Sequence, residues 1–279
     1  MTLPDPGHLL PGAPDSSYWP AGTVYGTLLN FRDEIAALGP QMSQSPYKAP
    51  PQAPVLFVKT ANTWSRNGAA VPVPVRVPEV EVGATIALVI GTAPDFTYSK
   101  PNLPFSHVEY SKFAINIVVD YILMNDLSVP HASFFCPPVK FKCLDGFLGI
   151  GSQRVSSHQV GNIADLTLEV RINNQLCQTV NFAGMVRSAA QLLADVSEFM
   201  TLQEGDVLML GCDCLPGGGR PLARVGDRID ISVPGLPAFG ILSNTLIAEG
   251  QFFDGPPLEK LATSGGSAAH AVASVGATS

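Results

Sequence analysis

The sequence predicts an α+β fold built on a large, curled mixed β-sheet, and three observations carry that expectation. Thr85-Ile-Ala-Leu-Val-Ile90 is apolar on both faces and ends at Gly91, as a strand in the middle of a sheet does. Leu166-Thr-Leu-Glu-Val-Arg-Ile172 alternates apolar and polar residues. It is followed by Asn173-Asn174 and a second run, Leu176 to Val180, which together read as a hairpin because Asn tolerates positive φ. Helical periodicity is scarce by contrast. Met185, Ala189, Leu192, Leu193, Val196 and Met200 mark one amphipathic helix, which should stop before Gly205-Asp206.

The remaining elements follow in chain order. Residues 1–20, rich in Pro and Gly, are expected to form an extended arm before a domain spanning 21–258. Thr23–Leu29 and Val55–Val58 read as the first strands, and the proline-rich stretch between Pro40 and Pro54 as a loop. Pro72, Pro74 and Pro78 are expected to break up the next segment. A second helix is expected from about Val108 to Val119, and further strands at Val207–Leu210 and Arg228–Val233. Residues 259–279 are mostly Gly, Ala and Ser and should be a flexible tail.

Composition narrows the function classes. Hydrophobic residues are 46% of the chain, enough for a sizeable core, whereas charged residues are only 14%. The net charge is -7 and no Lys or Arg are adjacent, which argues against nucleic-acid binding. No segment reaches the roughly 18 apolar residues of a membrane span; Ala114–Met124 is interrupted by Asn116 and Asp120. The first residues lack the basic and apolar regions of a signal peptide, and five cysteines at irregular spacing do not form a disulfide framework. The expectation is a cytoplasmic protein with reduced thiols.

The most informative stretch is Tyr121-Ile-Leu-Met-Asn-Asp126, followed by Lys142 in Lys140-Phe-Lys142-Cys-Leu-Asp145-Gly-Phe. An Asn-Asp pair ending an apolar strand, with a lysine shortly beyond, can set a carboxylate beside an ammonium. The carboxylate can hold a divalent cation, and the ammonium can stabilise an enolate or a departing carboxylate. Asn-Asp is also an ordinary strand-end turn, so the spacing alone does not decide.

These segments resemble the fumarylacetoacetate hydrolase family. The matching residues are Gly26-Thr-Leu-Leu-Asn30, Pro54-Val-Leu-Phe-Val-Lys59 with Asn62-Thr63, Ala87-Leu-Val-Ile-Gly91, Asn125-Asp126, Lys142 with Asp145-Gly146, and Ser197-Glu-Phe-Met-Thr-Leu202 with Gly205-Asp206. The last block is similar to the isomerase/decarboxylase branch of homoprotocatechuate (4-hydroxyphenylacetate) breakdown, in the form of its first half standing alone as a subunit. The resemblance implies a β-roll and Mg²⁺ or Mn²⁺ chelated by a 2-oxo or enol acid. The implied substrates are 5-oxopent-3-ene-1,2,5-tricarboxylate and 2-hydroxyhepta-2,4-diene-1,7-dioate. It implies Asp126 as a metal ligand, Lys142 as the catalytic ammonium, and Lys59 and Arg32 as contacts for the polyanion. The partner it implies is a homologous second subunit or another copy of the chain.

The sequence departs from that pattern at its reactive positions. Two of the three metal carboxylates fall at Gly83 and Thr85, leaving Asp126, which should weaken metal binding severely. The histidine base of hydrolytic members falls at Glu34, an arginine at Pro130 and a threonine at Cys212. Glu79-Val-Glu81 has the right spacing four residues early, a displacement of roughly 13 Å along a strand, and supplies ligands only if the site is shifted. The opposing expectation is therefore a non-catalytic structural partner of a metal-competent homologue. Glu34 is expected as an exposed helix-start carboxylate, and becomes a base only if burial raises its pKa. Cys212-x-Cys214 lacks a second pair for a soft metal, and His131 reads as polar surface. Gly217-Gly-Gly219 and Gly149-x-Gly151 lack the context of a phosphate loop.

Overall fold

The computed structural model describes residues 17–91, 118–131 and 139–251. Its strands are β1 (Val24–Leu28), β2 (Val55–Lys59), β3 (Trp64–Arg66), β4 (Ala70–Val73), β5 (Val80–Glu81), β6 (Ala84–Ile90), β7 (Val118–Asp126), β8 (Leu148–Ile150), β9 (Val155–Ser156), β10 (Thr167–Ile172), β11 (Gln175–Asn181), β12 (Val207–Met209), β13 (Leu222–Ala223), β14 (Arg228–Ser232) and β15 (Ile241–Ala248). Among the described residues four short α-helices accompany them: α1 (Arg32–Leu38), α2 (Val139–Lys142), α3 (Ser157–Val160) and α4 (Ala189–Ser197). This is the α+β class the sequence predicts, with strands dominant and helices peripheral.

The strands form an eight-stranded sheet in the order β2-β1-β12-β6-β7-β8-β3, with β9 paired to β7. A five-stranded sheet runs β11-β10-β14-β15-β4, and β13 pairs with β5. The large sheet is mixed, parallel at β1–β12 and β3–β8 and antiparallel elsewhere. Strand β6 is buried at all seven positions, and its period of two explains why. Ile86, Leu88 and Ile90 face the core shared with Leu168, Val170, Ile229, Ile231, Leu242 and Leu246 of the smaller sheet. Ala87 and Val89 face a second apolar layer with Val24, Leu28, Phe57, Ile122, Met124, Val207 and Met209.

The β10–β11 hairpin forms as expected, with Asn173 and Asn174 at φ 51° and 66°. The amphipathic helix is shorter than its pattern: Ser188 caps it by accepting from Gln191 N, so Met185 stays outside the helical turns. Pro72 does not break its segment. It lies within β4, an edge strand paired only to β15, where a missing N–H can face away from the ladder. The helix expected over about 108–119 falls mainly outside the described residues, and Val118 and Val119 open β7 instead. The arm and tail expected over 1–20 and 259–279 also lie outside, apart from residues 17–20. There Trp19 packs edge-on against Trp64 at 5.8 Å, with the Arg66 guanidinium 4.6 Å from its ring. No described helix is long and apolar enough to cross a membrane.

Candidate functional site

The charged residues singled out by the sequence meet at the C-terminal end of β7. Register explains the meeting: Thr85 pairs with Met124 across β6–β7, so Gly83, Thr85 and Asp126 share the sheet face opposite the smaller sheet. Lys59, two residues after Phe57 on β2, projects onto the same face. The short helix α2 then carries Lys142 back over the strand end, with Val129 N donating to Phe141 O at 2.8 Å.

Asp126 is 1% exposed and sits between two ammonium groups. Lys142 Nζ donates to Oδ2 at 2.5 Å, and Lys59 Nζ lies 2.8 Å from Oδ1. The two contacts differ in kind. Lys59 spends its three protons on main-chain carbonyls, donating to Leu127 O at 3.0 Å, Lys142 O at 2.6 Å and Phe147 O at 2.7 Å. None is left for Asp126, whose Oδ1 accepts no hydrogen bond, so that contact is Coulombic. Lys142 also lies 4.7 Å from the centroid of the Phe57 ring. Burial raises the Asp126 pKa, but the fields of Lys142, Lys59 and Arg220 outweigh it and hold the carboxyl well below the usual range. Burial pushes the Lys59 ammonium down to about 8 despite the pull of Asp126.

A second buried pair stands beside the first. Glu34 is not the exposed carboxylate its place near a helix start predicts: it is 6% exposed, because α1 turns it inward against Arg220. Arg220 Nη2 donates to Glu34 Oε1 at 3.2 Å, and Oε2 has no hydrogen-bond partner. Burial pushes the Glu34 carboxyl up, against the pull of Arg220. Arg220 went unrecognised in the sequence, although one signal was available: it directly follows Gly217-Gly-Gly219, all at positive φ. Leu215 and Gly219 close this turn with a 2.9 Å hydrogen bond, and Pro221 O accepts from Val82 N at 2.9 Å. The loop thus holds Arg220 next to Gly83.

The other expected residues fall elsewhere. Arg32 is exposed on α1, donates to Ala183 O at 2.7 Å, and makes no ion pair with the cluster. Glu79 pairs at the surface with Arg224, at 2.6 and 3.1 Å. The Glu81 backbone exchanges two hydrogen bonds with Ser128, two residues past Asp126, and its field reaches Arg220 and His131. His131 stacks on Phe141 with ring centroids 4.8 Å apart, rather than standing on open surface. Cys212 is buried and its thiol is pushed up to about 12, so it is neutral and a poor metal ligand. Other matched positions are structural. Asn30 bridges Leu210 O, Arg187 O and Arg187 N, and Asp206 accepts from Thr23 N and Gln203 N.

The residues do not fit Mg²⁺ or Mn²⁺. A hard divalent ion needs several oxygen ligands. A Cβ on Gly83 would stand 2.4 Å from Asp126 O and 3.0 Å from Cys212 Sγ, so no side chain fits there. The Thr85 hydroxyl donates to Gly211 O at 2.6 Å. Both oxygens of Asp126 face ammonium groups. Among the described residues, no group of three His, Cys, Asp or Glu is placed to hold a metal.

Comparison with known proteins agrees with the geometry's broad outline. Residues 23–247 match the model of the fumarylacetoacetate (FAA) hydrolase C-terminal family. The chain is similar to the 4-hydroxyphenylacetate degradation bifunctional isomerase/decarboxylase of Salmonella dublin. The two are 37% identical over 231 residues, covering 83% of this chain and 48% of that one. It is also similar to the homoprotocatechuate catabolism bifunctional isomerase/decarboxylase of Escherichia coli, at 35% over 232 residues, covering 82% and 48%. The chain therefore spans about half the length of these relatives. In fold it is similar to a probable 2-hydroxyhepta-2,4-diene-1,7-dioate isomerase of Mycobacterium abscessus, with a TM-score of 0.61, 22% identity, and 82% and 76% of the two chains covered. It is also similar to the maleylpyruvate hydrolase of Sphingobium sp. SYK-6, solved in complex with manganese(II) and pyruvate, with a TM-score of 0.59, 21% identity, and 82% and 71% covered. With the matched family model covering all but the ends of the described residues, the chain belongs to the fumarylacetoacetate hydrolase family.

Proposed function

We propose that this chain is one subunit of a two-part isomerase/decarboxylase of 4-hydroxyphenylacetate (homoprotocatechuate) breakdown. Its substrates are 5-oxopent-3-ene-1,2,5-tricarboxylate and 2-hydroxyhepta-2,4-diene-1,7-dioate, and its partner is a homologous subunit or a second copy, in the cytoplasm. The observation that carries this reading is the positive excess buried at the site. Lys59, Lys142 and Arg220 face two buried carboxylates, Asp126 and Glu34, so the cluster suits a polycarboxylate rather than a cation.

Roles follow from the contacts. Lys142 presents the ammonium that stabilises negative charge developing on the substrate as a carboxylate departs or a proton migrates. Asp126 orients Lys142 by accepting its hydrogen bond. Lys59 is assigned to positioning, since its protons hold the α2 loop and the end of β7 together. Glu34, with its raised carboxyl pKa and unpartnered Oε2, is the group suited to carry the migrating proton. Arg32 stays a proposed contact for an incoming polyanion from its exposed place on α1. Manganese accompanies pyruvate in the solved maleylpyruvate hydrolase, but no step here is routed through a metal.

A second reading is favoured by the closed space at Gly83. In it the chain is a structural partner, and metal chemistry belongs to a homologous subunit. Turnover of the tricarboxylate by the purified chain alone, with millimolar Mg²⁺ or Mn²⁺ and with a chelator, separates the two. Chelator-insensitive turnover that disappears in Lys142→Ala supports the catalytic subunit. No turnover from the folded chain, with activity appearing only on mixing with a homologous subunit, sinks it in favour of the partner role.

A further inference from the structure

We infer that Arg220 is the carboxylate-binding residue of this site. It holds one carboxylate of a di- or tricarboxylate on the part of its guanidinium that Glu34 leaves unused. The inference rests on the proposed reading that the site takes a polycarboxylate, and it names the residue that distinguishes such a ligand from a monocarboxylate.

The evidence is an imbalance of donors. A guanidinium carries five N–H groups in a fixed fork. Among the described residues Arg220 makes one hydrogen bond, from Nη2 to Glu34 Oε1 at 3.2 Å. Its other guanidinium nitrogens are not among the buried unpartnered atoms, so they border the small opening that the side chain keeps. The neighbouring Lys59 is saturated by contrast, with all three protons on carbonyls. Glu34 is unsaturated as well: its Oε2 is buried and has no hydrogen-bond partner. Their side chains keep small openings of 8% and 7%. A carboxylate supplies the acceptors that Arg220 lacks, and Glu34, whose carboxyl burial pushes up towards the neutral form, can donate to it when protonated.

The surroundings fix the ligand's sign. Asp126 has its charge compensated twice over and lies within the electrostatic reach of Arg220. Cys212 beside it is a neutral thiol. Glu81 and Asp213 are further acidic groups whose fields reach Arg220, and both are partly exposed, where solvent screens them. A planar carboxylate matches the guanidinium fork in a bidentate contact. Lys142, which also acts on both Asp126 and Glu34, is the second cation available for the other carboxylate.

Calorimetric titration of the purified full chain with glutarate, an unreactive dicarboxylate, and with butyrate tests the assignment. The wild type is expected to bind glutarate at least tenfold more tightly than butyrate. Arg220→Met should reduce glutarate affinity to the butyrate level while leaving butyrate affinity within twofold. Arg220→Lys keeps the charge but not the fork, and should lose at least threefold for glutarate. It carries the test if circular dichroism shows the methionine variant unfolded. Wild-type discrimination that survives in both folded variants overturns the role of Arg220 and leaves the polycarboxylate reading standing. A wild type that does not distinguish the two acids overturns that reading and the inference with it.

Discussion

Two buried charge clusters lie side by side at the end of β7, and they are built to different standards. Around Asp126, Lys59 donates to three carbonyls while Lys142 donates directly to the carboxylate, so the cluster ties β2, β7 and the α2 loop into one unit. Around Arg220, the guanidinium makes one hydrogen bond among the described residues, at 3.2 Å to Glu34, whose Oε2 has no hydrogen-bond partner. Both are buried, the first completely and the second with a small opening. The difference teaches that burial of charge does not by itself mark function: Asp126 Oδ1 accepts no hydrogen bond but faces the Lys59 ammonium at 2.8 Å, whereas Glu34 Oε2 accepts none beside a guanidinium with donors to spare.

The largest test of this contrast is Asp126→Asn. Removing the charge strands two buried ammonium groups and should destabilise the chain by about 3–5 kcal/mol in urea unfolding at pH 7. A loss under about 1 kcal/mol would show that the first cluster is not the structural one. The same variant sharpens the acid response. The folded Asp126 carboxyl is held below its ordinary value of 3.8, so the unfolded chain takes up the proton first as pH falls. Its contribution should be complete above about pH 5 and lost as pH falls through 3.8 towards the depressed folded value. The wild type should therefore lose more stability than Asp126→Asn between pH 5 and 2.

Glu34→Gln should cost less, about 1–2 kcal/mol, because the amide oxygen can still accept from Arg220. Here the sign reverses. The folded Glu34 carboxyl lies above its ordinary value, so its contribution is present at low pH and lost as pH rises through the folded value. The stability gap between wild type and Glu34→Gln should narrow from pH 5 to pH 8. Millimolar Mn²⁺ should leave the melting temperature of the chain unchanged, and a clear upward shift would show that Asp126 can release its lysines to a metal. The smallest effect belongs to the exposed Glu79–Arg224 pair, where Glu79→Ala should leave the unfolding midpoint unchanged within error.

Much of the fold was legible in local pattern. The all-buried β6, the β10–β11 hairpin and the strand ending at Asp126 each follow from residues within a few positions of one another. Strand β15 escaped because Asn244, buried between Leu242 and Leu246, interrupts its alternation. That asparagine is tolerated because Asn125 on β7 donates to it at 3.3 Å, a partner 119 residues away. Strands β3 and β8 escaped because each has three residues and carries polar or glycine positions, Trp64-Ser-Arg66 and Leu148-Gly-Ile150, unlike the equally short but wholly apolar β12.

The sequence by itself determined which face of each central strand is apolar, and which residue types could reach the end of β7. Both depend on a two-residue repeat and on chain order. Only the tertiary structure decided what those residues became. It spent Lys59 on carbonyls from three separate stretches of chain, closed the space at Gly83 against Asp126, and buried Glu34 beside an arginine 186 positions later. Charge state and hydrogen-bond satisfaction depend on desolvation and on neighbours brought from afar, and a local pattern contains neither.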